Sequence, residues 1–444
     1  VAVTSWTQEL QELVAGQVDY ITSQASAARR AEIGLVTAGG GVDFMYAEGQ
    51  ILVRDSYLDR VLDVLADGFT VGAITPLTPG AALVRIALRG DPAASGQHAE
   101  AAGRGSVPHP YSGQPPSVLT ALSLIDSAVG EGAAAPDHLL TVAPVVAPCP
   151  ATEPAEADAG TEPVPGVRAG ASGQGVLVYV ADTGLLESAP SVSWLDGVRR
   201  AVAPGGELQD WDPCPADTGT EATLTPYSGH GTFVAGVTRC LAPQADVIVS
   251  NVFNSAGSAL ESDFIADLNT GLAEGVDLFN LAVTTPTRKR KPMLAFAAWL
   301  ETLRDYKGVT CVVAAGNSGS RQPSWPAAFS GVISVGALGA DWRSRASFSN
   351  HGGWVDVYAP GRDLVNAYAT GTYICHDVPY RGQRRDFYGM ARWSGTSFAT
   401  PVVTGLIADR MSKTGENARE AGGALLAQAR EAAIPGTGAI LLPG

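Results

Sequence analysis

Apolar positions along this chain of 444 residues follow two periods, and the changes between them divide it into parts. Leu10, Val14, Val18 and Ile21 share one face at helical spacing, so residues 1–48 are expected to form an N-terminal helical extension. Residues 50–53 predict a strand. Ser56 then stands as an N-cap, and Leu58, Val61, Leu62 and Leu65 repeat at i, i+3, i+4 and i+7 until Gly68 ends the run. Residues 71–77 and 82–88 predict two strands joined through Pro79-Gly80. Ser117 opens a second helix with Val118, Leu122, Ile125 and Val129 on one face, and residues 139–142 predict a last strand. The order β-α-β-β-α-β is the ferredoxin-like arrangement, a small α+β domain over residues 49–147.

Further on the pattern alternates. Residues 176–181, 246–252, 276–282 and 309–315 are short apolar runs, and helical spacing covers 260–273 and 293–306. This predicts an α/β fold, a parallel sheet flanked by helices, over residues 171–412. Between the two domains, residues 148–170 interleave Pro148, Pro150, Pro154, Pro163 and Pro165 with Glu and Ala. That composition predicts an extended, accessible linker. Residues 413–444 read as one surface helix and a loose tail.

Candidate chemistry sits where these elements end. Asp182-Thr183-Gly184 follows the strand at 176–181. A carboxylate there can orient an imidazole and stabilise its charged form. Gly229-His230-Gly231-Thr232 opens a small-residue helix. Asn317 follows Ala314-Ala315-Gly316 at a strand end, where its amide can donate to a tetrahedral intermediate. Trp393-Ser394-Gly395-Thr396-Ser397-Phe398-Ala399-Thr400-Pro401 hands a serine to a helix N-terminus. Free N–H groups and partial positive charge there favour an oxyanion. The other histidines, His98, His109, His138, His351 and His376, lack flanking glycines and a following helix, and read as structural or solvated.

In the order Asp182, His230, Asn317, Ser397, these motifs resemble the subtilisin-like serine proteases, over roughly residues 166–412. The resemblance implies hydrolysis of peptide bonds through an acyl-enzyme. Ser397 would be the nucleophile, His230 the base, Asp182 its orienter, and Asn317 the oxyanion donor with the Ser397 N–H. A substrate strand would bind along Ala282, Val283 and Thr284 and along Ala314, Ala315 and Gly316. The preceding domain would be a prodomain acting as an intramolecular inhibitor, the arrangement of a zymogen. No cofactor is required. Family members often bind calcium in acidic loops, so structural Ca2+ enters as a possibility for the insertion carrying Glu207, Asp210, Asp212, Asp217 and Glu221. No metal ligand is assigned, and a solvated loop is the simpler expectation.

One segment departs from the family. Residues 280–285 read Asn-Leu-Ala-Val-Thr-Thr where relatives usually have Asn, apolar, Ser, Leu, Gly, Gly. A β-branched Thr284 resists φ > 0 and narrows the cleft, which points to a selective processing protease. Arg288-Lys289-Arg290-Lys291 follows directly, and Arg381, Arg384 and Arg385 precede the nucleophile. Both clusters are expected to be solvated loops, the alternative being steering of an acidic substrate or partner.

The formal charge of −15 argues against nucleic-acid partners, and no apolar run reaches the length of a membrane span. Without the pattern of a signal peptide the expected location is cytoplasmic, with secretion as the alternative. Of the five cysteines, Cys311 reads as a core thiol, while Cys214 and Cys240 can bridge only in an oxidising compartment; Cys149 and Cys375 complete the set. A competing function class is a non-catalytic interaction module that keeps the fold with the N-terminal domain permanently in the cleft.

Overall fold

Two alternating faces organise each sheet of this chain, seen here in a computed structural model. It describes residues 32–38, 41–88, 117–142, 151–158, 160–203, 205–212 and 223–444, with Val18, Tyr20, Ile21 and Ser23 before them. The N-terminal part holds β1 (Ile33–Ala38), β2 (Gly41–Arg54), α1 (Leu58–Leu65), β3 (Phe69–Thr78), β4 (Ala81–Leu88), α2 (Ser117–Ala128) and β5 (Ala134–Thr141). Strands β5, β2, β4 and β3 lie side by side, antiparallel, and β1 folds back on β2. Ile51 and Val53 face the domain's own helices, packing with Val61, Leu65, Leu122 and Ile125. Leu52 between them points the other way, into the core of the second domain.

The element order is the one that periodicity predicts from residue 50 onward. Ahead of it the expected helical extension gives way to strand: residues 33–38 and 41–48 form a hairpin. Helical spacing stops at Ile21, and the run from Ile33 to Thr37 has a strand's composition. Val18 and Ile21 are helical and buried against Met45, Leu139 and Leu260. Leu10 and Val14 lie outside the described residues.

The second part contributes β6 (Ala155–Glu156), β7 (Leu177–Asp182), β8 (Arg199–Arg200), β9 (Thr223–Leu224), α3 (His230–Leu241), β10 (Asp246–Asn251) and β11 (Ser258–Leu260). It continues with α4 (Glu261–Ala273), β12 (Leu278–Leu281), α5 (Leu294–Leu303), β13 (Thr310–Ala314), β14 (Ile333–Leu338) and β15 (Val357–Pro360). It ends with β16 (Leu364–Ile374), β17 (Arg384–Trp393), α6 (Thr396–Thr414) and α7 (Ala418–Glu431). Seven strands form a parallel sheet in the order β15-β14-β13-β12-β7-β10-β8. Val178 and Val180 of β7 face α3 and α6, packing with Phe233, Val237, Phe398 and Val402. Tyr179 and Ala181 face α4 and α5, packing with Phe264, Leu268, Phe296 and Trp299.

The two parts meet through β5. It pairs antiparallel with β11, so a strand of the second part closes the sheet of the first. Asp137 of β5 accepts bonds from Ser262 N (2.9 Å), Ser262 Oγ (2.6 Å) and Gln50 Nε2 (2.5 Å), and so serves the first turn of α4. Glu261 does the same for α5, accepting from Ala295 N at 2.7 Å and Phe296 N at 3.2 Å. His138 joins them: its Nε2 accepts from Arg288 N at 3.1 Å, which leaves the proton of the neutral ring on Nδ1, 3.3 Å from Glu261. His138 is therefore an interface residue.

Three residues of the run Arg288–Lys291, expected as a solvated loop, are paired instead. Arg288 and Lys289 each lie 2.9 Å from Asp126, Lys289 lies 2.7 Å from Glu131, and Lys291 lies 3.0 Å from Glu131. The partner is acidic, but it is the N-terminal domain.

The expected linker is stitched down where it is described. β6 pairs with β17, Val164 bridges Val365, and Glu153 accepts from Tyr373 Oη at 2.9 Å and from His376 N. Proline-rich chain is extended, and extended chain fits a hairpin edge. Residues 143–150, with Cys149, lie outside the described residues. The tail is not loose either: Asn417 and Glu420 form a capping box on α7, and Leu441 N bonds Tyr358 O at 2.9 Å.

Burial pushes the Asp137 carboxyl up to about 6, against the opposing bonds from Ser262 and Gln50. Undocked, it returns toward its ordinary 3.8. The docked form holds the proton more tightly, so its contribution to docking is complete below about pH 4 and is lost as pH rises through about 6, a change of about 1–3 kcal/mol. Hydrogen exchange at the β5 amides, corrected for intrinsic rates, should show protection falling across that window. Asp137→Asn should flatten the dependence.

Candidate active site

Asp182 is the last residue of β7, and His230 is the first of α3. Two glycines let these elements approach. Gly229 takes a left-handed conformation (φ 73°) that turns the chain into the helix. A Cβ on Gly231 would collide with the Gly184 carbonyl oxygen, so only glycine lets the helix lie this close to the Asp182 turn. The contact is held by Asp212, whose Oδ2 accepts from Gly229 N and from Thr183 Oγ1, both at 2.9 Å. Thr183 Oγ1 in turn accepts from Gly231 N at 3.1 Å.

The result is a bond of 2.7 Å between His230 Nδ1 and Asp182 Oδ1, with both side chains fully buried. The Asp182 oxygen also accepts from Thr183 N at 2.8 Å. A carboxylate on Nδ1 fixes the tautomer that carries its proton there and frees Nε2 as the acceptor. His230 Nε2 is buried and has no hydrogen-bond partner among the described residues. Trp393 and Phe398 hold the imidazole, with ring centroids at 5.5 and 5.2 Å.

Ser397 is the second residue of α6, next to Phe398. No hydrogen bond joins its hydroxyl to His230. Such pairs are commonly loose until substrate is bound. Thr396 ties this helix start to Asn317: its N–H and Oγ1 both donate to Asn317 Oδ1, at 2.8 and 2.9 Å. Thr396 Oγ1 also accepts from Gly316 N at 3.1 Å. The backbone donor fixes the amide orientation, so the Asn317 Nδ2 donors remain uncommitted. Thus Asp182 and His230 are in contact, and Asn317 is locked to the residue preceding Ser397.

Among the expected substrate-binding residues, Ala282, Val283, Ala314, Ala315 and Gly316 are buried. Thr284 exchanges two backbone bonds with Thr141, at 3.0 and 2.9 Å, and Val142 N bonds Gly257 O at 3.0 Å. The end of β5 therefore lies as an added strand between two edges of the second domain. The conflict anticipated at Thr284 does not arise. Its backbone is not at positive φ, because pairing of this kind requires extended chain.

Sequence reasoning missed Asp212 and Thr396. Asp212 stood among the carboxylates of an acidic loop, yet it is turned inward onto the turn that follows Asp182; Asp217 and Glu221 lie outside the described residues. Among the described residues no cluster of His, Cys, Asp or Glu is arranged to hold a metal. Thr396 lay inside the serine motif without a signal of its own. Arg384 and Arg385 are engaged on the hairpin of β16 and β17, with Asp386 and with Pro154 O. Cys240 is a free buried thiol that accepts from Asn366 Nδ2; Cys214, His98 and His109 lie outside the described residues. Cys311 is buried in the core, as expected. No described helix is long and apolar enough to cross a membrane.

Residues 173–432, more than half of the chain, match the family model described as the subtilase family. The chain belongs to this family. A thermophilic serine proteinase of Bacillus sp. (strain AK1) is 31% identical over 255 residues, 54% of this chain and 53% of that protein. Subtilisin Savinase of Lederbergia lenta is 29% identical over 248 residues, 54% of this chain and 77% of that protein. This subtilase spans about half the length of several curated relatives it matches. Fervidolysin from Fervidobacterium pennivorans, a keratinolytic enzyme related to subtilisin, shares the fold over 90% of this chain and 60% of its own, with TM-score 0.56 and 19% identity.

Thr396→Val should separate the two halves of the site. It leaves the buried Gly316 N–H without an acceptor, a loss of about 1–3 kcal/mol in denaturant unfolding. It also removes one of two bonds that aim Asn317, so kcat for a peptide substrate should fall about tenfold or more with KM little changed.

Proposed function

We propose that this subtilase is a serine endopeptidase whose N-terminal domain holds the cleft shut until it is released. The observation that carries the reading is the buried Asp182–His230 bond, which leaves Nε2 open beside the helix bearing Ser397. In the first step His230 Nε2 takes the Ser397 proton as Oγ bonds to the scissile carbonyl carbon. The developing oxyanion meets the Asn317 amide and the Ser397 N–H. As the intermediate collapses, the C–N bond breaks and His230 returns the proton to the leaving amine. Water then repeats the sequence on the acyl-enzyme, again through His230, and frees the acid. Asp182 holds the ring throughout without taking a proton.

Control by the N-terminal domain is supported by the strand added at Thr284 and Gly257 and by the carboxylate of Asp137 on α4. Val142 is held by the cleft, while the Thr152 carbonyl accepts from Trp393 Nε1 at 2.7 Å, four residues before Ser397. A cut that frees the N-terminal domain from the stitched segment must fall between those two residues. The narrow cleft edge at Thr284 supports a processing role on protein or peptide substrates. The chemistry calls for no cofactor, nucleic acid or membrane, and the buried free thiols suit a reducing, cytoplasmic setting.

A fluorophosphonate probe should label the chain, and Ser397→Ala should abolish labelling and lower peptide hydrolysis by about a millionfold. On incubation, mass spectrometry should find the wild-type chain cut between Val142 and Thr152 and the variant intact. Labelling that survives in the variant would remove Ser397 from the mechanism.

A further inference from the structure

The edges that receive a substrate also limit it. Strands β12 and β13 pair in register up to Leu281 and Val313. Beyond that they turn to different partners: Thr284 bonds the docked Thr141, while Ala315 N bonds Val335 O at 2.9 Å. The space between these two diverging chains is floored by Gly316, which is tied to Thr396 and so sits beside Ser397. A substrate following the antiparallel register of Thr141 with Thr284 brings the residue two positions on opposite Ala282. Ala282 follows Leu281, the partner of Ala181 beside Asp182. On the acyl-enzyme reading above, that substrate residue is taken as the one Ser397 attacks, with its side chain directed toward Gly316.

Two side chains crowd Gly316. A Cβ built on Gly316 would stand 3.1 Å from Thr284 Cγ2 and 2.6 Å from Asn350 Nδ2. Neither side chain can step aside cheaply. Thr284 is β-branched and stiff at χ1, on a backbone fixed by strand pairing. Asn350 is buried and fully engaged: Nδ2 donates to Ala315 O at 2.8 Å, and Oδ1 accepts from Ser318 N, Ser318 Oγ and Ser320 N.

We propose that Thr284, together with Asn350, caps the pocket for the residue on the acyl side of the cut, so that the enzyme hydrolyses bonds following Gly, Ala or Ser and rejects those following Leu, Phe or Tyr. The inference rests on the acyl-enzyme reading above and names its substrate class. Two positions after Thr141 the sequence itself carries a residue of the permitted size, Ala143.

The test uses the full chain, incubated until mass spectrometry shows the cut between Val142 and Thr152, and two kinds of probe. A simple fluorophosphonate, which has no side chain to place, reports on Ser397 alone. Peptidyl diphenyl phosphonates ending in Thr-Val-Ala, Thr-Val-Leu and Thr-Val-Phe report on the pocket. The Ala probe should inactivate the enzyme at least about tenfold faster than the Leu or Phe probe. Thr284→Gly should shrink that ratio by about tenfold, since it removes part of the cap. Thr284→Ser removes the methyl group alone and should move the ratio the same way, which settles the matter if the glycine variant does not fold. Equal rates for the three peptidyl probes, or no reaction with any of them, in a chain that the fluorophosphonate labels would overturn the pocket and leave the protease reading intact. A ratio unmoved in both variants would also overturn it. A chain that the fluorophosphonate never labels would remove both readings.

Discussion

One close approach sets the chemistry of this protein: the start of α3 lying against the turn that follows β7. Backbone meets backbone at Gly231 and Gly184, with no room for a side chain between them. Such an approach buries several N–H groups, each costly if left unpaired. Asp212 and Thr183 supply acceptors to two of them, so the contact closes with Gly229 N and Gly231 N both satisfied. Only then do Asp182 and His230 meet at 2.7 Å inside a shell of Trp393 and Phe398. The geometry is fixed before substrate arrives, which is the condition for a positioned base to lower a barrier rather than merely bind.

The N-terminal domain uses the same elements from the other side. Its sheet rests on α4 and α5, and its last strand adds to the cleft edge. The two carboxylates at this boundary belong to different domains yet do the same work: Asp137 serves the first turn of α4, and Glu261 serves that of α5. The boundary therefore carries buried hydrogen bonds as well as apolar contact. Removing Asp137 leaves the Ser262 N–H without its acceptor at the start of α4, so occupancy of the cleft and the hydrogen bonding of α4 are linked. The charged rim of Arg288, Lys289 and Lys291 with Asp126 and Glu131 adds orientation more than strength, because most of these side chains remain in contact with water.

Much of this was legible from residue types at element ends. Asp182, His230, Asn317 and Ser397 stand out because the chemistry demands those side chains and the local pattern places each where a strand or helix terminates. The β-α-β-β-α-β order was legible for the same reason, since each period is a local property. What was not legible depends on which distant segment comes back to meet it. Asp212 reads as one more carboxylate in an acidic loop until that loop folds under Gly229. The basic run reads as solvated until Asp126 and Glu131 are brought across from another domain. The segment after residue 150 reads as free chain because composition reports its extension, not the hairpin edge that receives it. Residues 33–38 were absorbed into a helical extension because the helix signal before them was stronger than the short strand signal they carry.

Thr284 shows how far a departure from a family pattern reaches. It was expected to strain the backbone, and the strain is absent because the position is a strand edge here. The consequence passes instead to the side chain, which a glycine would not have had. Its methyl group lies toward Gly316, which has a φ of 99° and is also approached by Asn350 Nδ2. No hydrogen bond connects Thr284 to Asp182, His230, Asn317 or Ser397. Asp182, His230 and Ser397 are held by β7, α3 and α6, with Asp212 beneath the turn. Thr284 and Gly316 stand instead on the two chains that continue past Leu281 and Val313. Because these supports are separate, a substitution at Thr284 leaves the Asp182–His230 bond and the Asp212 contact beneath it in place.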